Sequence, residues 1–132
     1  MTARGVIVHV KRAKQINDFS GLCYGAITPT DIDGLIEYRD KAYVVIETKY
    51  MDIELPHGQK LAIERLIGDI SASGKPAIAL VAEHHIHDTD ACVPVAECPV
   101  REYYHTNTLK WQTPKTALTV REMTDLFLGE FM

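Results

Sequence analysis

Long apolar runs are missing from this chain of 132 residues, and none is long enough to form a transmembrane helix. The apolar stretch near the N-terminus, within MTARGVIVHVKR, is also too short for a signal peptide. Cysteine is scarce: Cys23, Cys92 and Cys98 are odd in number and lack the paired CxxC spacing of a zinc site. We therefore expect reduced cysteines, no association with a membrane and a cytoplasmic location.

An excess of basic charge is also missing. The chain has 14 Lys and Arg against 18 Asp and Glu, a net charge of −4, which does not indicate a sequence-independent DNA coat. Four basic residues precede the first acidic residue, Asp18: Arg4, Lys11, Arg12 and Lys14. They form either a phosphate-contacting patch or, more simply, a solvated helix face. A hydrophobic share of 46% is ordinary for a globular protein, and the length predicts one domain over residues 1–132.

The apolar patterns in the first two thirds of the chain predict alternating helices and strands. Residues 10–18 are compatible with a helix, and the apolar runs predict strands over Leu22–Thr28, Ile32–Tyr38, Ala42–Tyr50 and Ala77–Ala82. A helix is predicted from Gln59 to about residue 71–74. Its apolar residues recur at spacings of three and four: Ala62, Ile63, Leu66, Ile67 and Ile70. Together these elements predict an α/β protein.

The tail beyond Glu83 gives a weaker pattern. Short strands are predicted over Val93–Ala96 and Val100–Tyr104, and a loop over 111–114. Thr119 and Glu122 have the spacing of a capping box and predict a final helix over 119–131. This tail is expected to pack on the sheet, to form a homodimer interface or to shape access for a substrate.

Residues 31–50, DIDGLIEYRDKAYVVIETKY, contain the side chains that point to a chemistry. Glu47 and Lys49 are two apart in a predicted strand and therefore project from the same face. Asp33 begins the preceding strand of the same hairpin, so it is expected beside them. Two carboxylates and one ammonium in a small patch are costly for stability alone and suit metal-assisted cleavage of a phosphodiester bond.

The carboxylates of Asp33 and Glu47 are hard oxygen ligands of the kind that Mg²⁺ or Mn²⁺ prefers. The backbone carbonyl of Thr48, between the two functional residues, is a further candidate ligand. Lys49 is expected to act on the attacking water or to stabilise the charge that develops on the phosphate.

Asp33, thirteen intervening residues and then Glu47-Thr48-Lys49 resemble the motif of the PD-(D/E)xK nuclease superfamily. The superfamily includes restriction endonucleases, Holliday-junction resolvases of the archaeal type and the lambda-exonuclease group. The resemblance implies a restriction endonuclease-like core, α-β-β-β-α-β, with a small mixed sheet flanked by helices. That core would occupy about residues 10–85, followed by a β/α extension over about 86–132.

The resemblance also implies a function, which is divalent-metal-dependent hydrolysis of nucleic acid, with DNA favoured. Relatives often place a Gln or Lys at the start of the helix after this motif. Gln59 occupies that position here, and Lys60 is a weaker candidate for the same role.

The usual Pro-Asp of the motif is replaced by Pro29-Thr30-Asp31-Ile32-Asp33. Asp31 is therefore an alternative ligand to Asp33, although Asp33 fits the spacing better. A catalytically inactive module of this fold that binds nucleic acid or protein is one rival interpretation, and an unrelated interaction protein is another.

Several other residues have a simpler explanation than a functional one. His84, His85 and His87 are close in sequence, but a polar loop after a buried strand explains them better than a zinc site. Asp52 and Glu54 are expected in a solvated loop. The aromatic residues that could stack on bases are expected to pack in the core or an interface: Tyr103, Tyr104 and Trp111.

Overall fold

The computed structural model describes residues 4–132, and the chain divides into two compact units with the boundary after Asp31. In the first unit, helix α1 comprises Val10–Ala13 and a single 3₁₀ turn comprises Ser20–Leu22. Every described residue of this unit is exposed. The helix predicted over residues 10–18 is therefore only one turn long, as expected for a short helix that buries no apolar face.

The prediction of a strand over Leu22–Thr28 is wrong. Tyr24 and Ile27 exchange two backbone hydrogen bonds, at 2.8 and 3.1 Å, across a tight turn in which Gly25 has φ +65°. Glycine adopts this left-handed conformation without a steric penalty. The apolar composition of the segment is typical of a strand, but the backbone pairing it forms is this local one across the turn.

The second unit is built on one mixed sheet of five strands, in which spatial order follows chain order. The strands are β1 Gly34–Tyr38, β2 Ala42–Tyr50, β3 Ala77–His84, β4 Val100–His105 and β5 Trp111–Gln112. Strands β2 and β3 are parallel, and all other neighbours are antiparallel. The predicted α/β class with a small mixed sheet is confirmed. Only β1 and β2 precede the long helix among the described residues, so the order α-β-β-β-α-β is not reproduced.

Helix α2, His57–Ala72, connects the two parallel strands and covers one face of the sheet. Buried residues on this face include Val45 and Val81 from the strands and Ile63 and Ile67 from the helix. Leu66, which the spacing predicted to be buried, is 38% exposed. The buried row of α2 therefore follows a spacing of four, through Gln59, Ile63 and Ile67.

Helix α3, Val120–Gly129, covers the opposite face. Its Met123 and Phe127 pack in a core with Val44 and Leu80, the alternate residues of β2 and β3. The predicted capping box is confirmed, because the Thr119 side chain accepts from the Glu122 N–H at 3.1 Å and the Glu122 carboxylate accepts from the Thr119 N–H at 3.0 Å. The sheet is thus flanked by a helix on each face.

Two predictions for the tail are wrong. Val95–Glu97 forms a 3₁₀ turn after Pro94, not a strand, and proline lacks the N–H that a strand ladder requires. Trp111–Gln112, predicted as loop, pairs with Tyr103 and Tyr104 to form the sheet edge. Across residues 4–132, no helix combines the length and the apolar character needed to span a bilayer.

Candidate active site

The carboxyl-terminal half of β2 brings Glu47 and Lys49 to the face of the sheet that α2 covers. Both lie on the same side of the strand as Val45, which packs under α2. The first turn of α2 places Gln59 over this region, and Glu47 and Gln59 are only 3% and 8% exposed. Burial of these two polar residues side by side is a feature of a functional site more than of a stable core.

Asp33 joins this group through the hairpin register. Gly34 is opposite Ile46, so the residue before β1 lies beside Glu47. Its Oδ2 accepts a hydrogen bond from the Thr48 N–H at 2.7 Å, and its side chain is hydrogen-bonded to that of Glu47. The predicted proximity of Asp33, Glu47 and Lys49 is therefore observed. Asp31, the alternative ligand, belongs to the first unit.

The electrostatics of the site centre on Glu47. Burial is the main cause that raises the pKa of its carboxyl group, to about 7, and the negative charge of Asp33 adds to the effect. A hydrogen bond from Gln59 and the charge of Lys49, whose Nζ lies 3.4 Å from Glu47 Oε1, act in the opposite direction. Near neutral pH the pair of carboxylates therefore attracts either a proton or a cation.

The donor set fits a hard divalent cation better than zinc. In the part of the chain that the structure describes, no three His, Cys, Asp or Glu side chains form a group suited to a metal ion. The site offers the two carboxylates of Asp33 and Glu47, and Mg²⁺ commonly binds through one or two carboxylates and otherwise to waters and substrate phosphates. Thr48 could add only its carbonyl, since its side chain lies on the other face of the strand.

Two of the remaining candidates, Lys60 and Trp111, have structural partners of their own. Lys60 lies 3.6 Å from Glu102 and over the ring of Trp111, 4.9 Å from the centroid. The indole N–H of Trp111 donates to Glu64 at 3.2 Å, and its ring packs on that of buried Tyr104. Asp52 and Glu54, outside these contacts, are exposed.

The three histidines of the 84–87 segment contact different groups. His84 packs on the ring of Tyr50, and the Tyr50 hydroxyl is hydrogen-bonded to His87 Nδ1. His85 Nε2 lies 2.9 Å from Glu83. His84 is the last residue of β3, and His85 and His87 lie in the irregular segment that follows, as expected for a polar loop after a buried strand.

Arg101, in β4, was not indicated by any sequence motif. Its guanidinium binds the carbonyl oxygens of Met51 and Ile53 and the carboxylate of Glu83. These acceptors come from two different segments, so no local motif could have indicated the contact.

Comparison with known proteins adds no relative. No protein-family model, no curated protein and no solved structure matches the chain.

Proposed function

We propose that this protein is a divalent-metal-dependent nuclease of the PD-(D/E)xK type that hydrolyses phosphodiester bonds in DNA. The observation that carries the proposal is the hydrogen-bonded pair of carboxylates, Asp33 and Glu47, with Lys49 at 3.4 Å and Gln59 buried beside them. Glu47 is buried although a second carboxylate, that of exposed Asp33, is hydrogen-bonded to it, and Lys49 is its basic partner. A site for cation binding explains this arrangement.

Asp33 and Glu47 would hold Mg²⁺ or Mn²⁺, with the Thr48 carbonyl as a further ligand. When bound, such an ion polarises a phosphoryl oxygen and lowers the pKa of a coordinated water. Lys49 would orient the attacking water or stabilise the charge that develops on the phosphate. Gln59, through its hydrogen bond to Glu47, would hold this carboxylate in place for the cation.

The test is a cleavage assay on plasmid, linear duplex, single-stranded and branched DNA and on RNA, each with Mg²⁺, Mn²⁺ or EDTA. We expect cation-dependent cleavage that Glu47→Ala abolishes. Asp52→Ala is the matched control, since it removes an exposed carboxylate five residues away. No cleavage of any substrate by the wild type would reject the proposal. Cation binding without turnover would identify the rival, an inactive module of this fold.

We also propose a homodimer, because cutting both strands of a duplex at once requires two sites. The predicted interface was the helix at 119–131. Its apolar side is occupied in the chain's own core, through Val120, Met123, Phe127 and Leu128, which leaves Leu126, at 66% exposure, as its main apolar surface. Light scattering over a range of protein concentrations tests the assembly, and a monomer at all of them would reject it.

A further inference from the structure

Arg101 makes three directed hydrogen bonds from one side chain. Nη2 donates to the Met51 carbonyl at 2.7 Å, Nη1 to the Ile53 carbonyl at 2.8 Å and Nε to Glu83 Oε1 at 3.3 Å. The side chain is only 23% exposed, which limits competition from water. A planar guanidinium is suited to several acceptors in fixed directions, and a lysine ammonium is not.

Two of these acceptors lie in the connection between the candidate site's strand and its helix. Met51 and Ile53 follow Lys49 by two and four residues, and Gln59 lies six residues beyond Ile53. Met51 has φ +52°, a left-handed conformation that a methionine rarely adopts, and its N–H donates to the His84 carbonyl at 2.7 Å. The conformation of this turn therefore depends on its neighbours in β3 and β4.

The third acceptor connects Arg101 to the other side of the site. Glu83 is opposite Lys49 in the parallel register of β2 and β3 and lies on the same face. The next residue of β4, Glu102, forms the ion pair with Lys60, which follows Gln59 in the first turn of α2. Strand β4 thus contacts both ends of the segment that joins Lys49 to Gln59.

We infer that Arg101 is a positioning residue for the proposed active site: it fixes the 51–53 turn and, through it, the placement of Gln59 relative to Glu47 and Lys49. The inference rests on the proposed function and assigns a role to the C-terminal extension, in which β4 lies. Arg101 itself touches neither carboxylate of the Asp33–Glu47 pair, so its effect is exerted through the backbone.

The test compares Arg101→Ala and Arg101→Lys with a matched control, Arg121→Ala. Arg121 also binds a carboxylate, that of Asp125 at 2.9 Å, but it is on the exposed side of α3. Steady-state cleavage of DNA gives kcat and KM for each variant, and hydrogen exchange of the backbone amides gives the local stability of residues 51–60.

We expect both Arg101 variants to lower kcat about 10- to 100-fold, since a displacement of about 1 Å is sufficient for that loss. KM should stay within about threefold of the wild type, and amide exchange over 51–60 should be faster. Arg121→Ala should change none of these. If Arg101 acted only by attracting DNA, its loss would raise KM and lysine would restore it, and that result would overturn the inference.

A double-mutant cycle separates positioning from a general loss of stability. If Arg101 acts through Gln59, the effects of Arg101→Lys and Gln59→Ala on kcat should not multiply in the double variant. Fully multiplicative effects would contradict the inference. If the wild type cleaves no substrate, the proposed function fails, and amide exchange in Arg101→Lys still decides the positioning role: unchanged exchange over 51–60 would reject it.

Discussion

The carboxylate of Asp33 accepts a hydrogen bond from the backbone N–H of Thr48, at 2.7 Å, and so is attached to the peptide between Glu47 and Lys49. The bond continues the β1–β2 hairpin beyond its last ladder pair, Gly34 and Ile46. The position of one candidate ligand is thus set by the strand that carries the other. The length of the loop between β1 and β2 therefore matters to the site, because a shift in the hairpin register would separate the carboxylates of Asp33 and Glu47.

Asp33→Asn and Asp33→Ala should differ in a way that tests this relationship. Asparagine keeps an oxygen that can accept from the Thr48 N–H but removes the charge facing Glu47, so the melting temperature in EDTA should equal or exceed that of the wild type. Alanine also removes the oxygen that accepts from the Thr48 N–H, so Asp33→Ala should lower the melting temperature. Both variants should weaken Mn²⁺ binding at least about tenfold, as measured by calorimetric titration.

Asp31→Asn is the matched control for the ligand assignment, because Asp31 is the alternative in the same motif. It should leave Mn²⁺ affinity within about twofold of the wild type. Weaker binding in Asp31→Asn together with normal binding in Asp33→Asn would reverse the assignment.

The raised pKa of Glu47 predicts that the protein without metal loses stability as the pH rises. The group has an ordinary value of 4.5 and a value of about 7 in the fold, so between these two the folded state binds the extra proton. Its contribution is present below about pH 4.5 and is lost as the pH rises through 7, by at most on the order of 3 kcal/mol. Thermal unfolding in EDTA at pH 5.5 and 8 measures the change.

Glu47→Gln isolates this contribution from that of other titrating groups. The wild type should lose more stability between pH 5.5 and 8 than this variant, and Mg²⁺ should restore the wild type more at pH 8 than at pH 5.5. An equal pH dependence in both proteins would show that Glu47 ionises without a penalty.

Two neighbouring residues of α3 should respond differently to truncation. Phe127 is 4% exposed and packs on His105 and Phe131, so Phe127→Ala should cost about 3–5 kcal/mol. Leu126 is 66% exposed, and Leu126→Ala should change the stability of a monomer by no more than about 0.5 kcal/mol. Urea unfolding gives both values. A large loss for Leu126→Ala that depends on protein concentration would place this residue in a dimer interface.

The second unit could be predicted from its sequence where burial follows a simple period. Strand β2 has the bounds predicted for it, Ala42–Tyr50, and β3 continues two residues beyond the predicted Ala82. Strand β5 could not be predicted, because its two residues are a strand only by pairing with Tyr103 and Tyr104. The segment at 22–28 has the composition of a strand but forms a local turn at Gly25.

The candidate site was predictable in so far as it depends on local order. Alternation along β2 places Glu47 beside Lys49, and the hairpin brings Asp33 next to them. The contacts of Arg101 depend on the position of β4 in the sheet and on the turn at Met51, and neither follows from a local pattern. Sequence periodicity thus indicated which residues share a face of a strand. It did not indicate that the side chain of Arg101 binds the turn between β2 and α2.

Lys49→Ala provides the most direct test of the proposed chemistry. An ammonium has no lone pair with which to bind a metal, and that of Lys49 lies 3.4 Å from Glu47. Its loss should therefore affect the transition state much more than the fold or the affinity for Mn²⁺. We expect cleavage to fall by about 10²–10³-fold, the usual loss for one group that stabilises developing charge. Lys49→Arg should recover only part of the activity, because a guanidinium does not give up its proton and has a different reach. Lys110→Ala is the control, because Lys110 is an exposed lysine directly before β5. This variant should cleave like the wild type. If the wild type cleaves DNA and Lys49→Ala cleaves equally well, the hydrolytic site lies elsewhere on the chain.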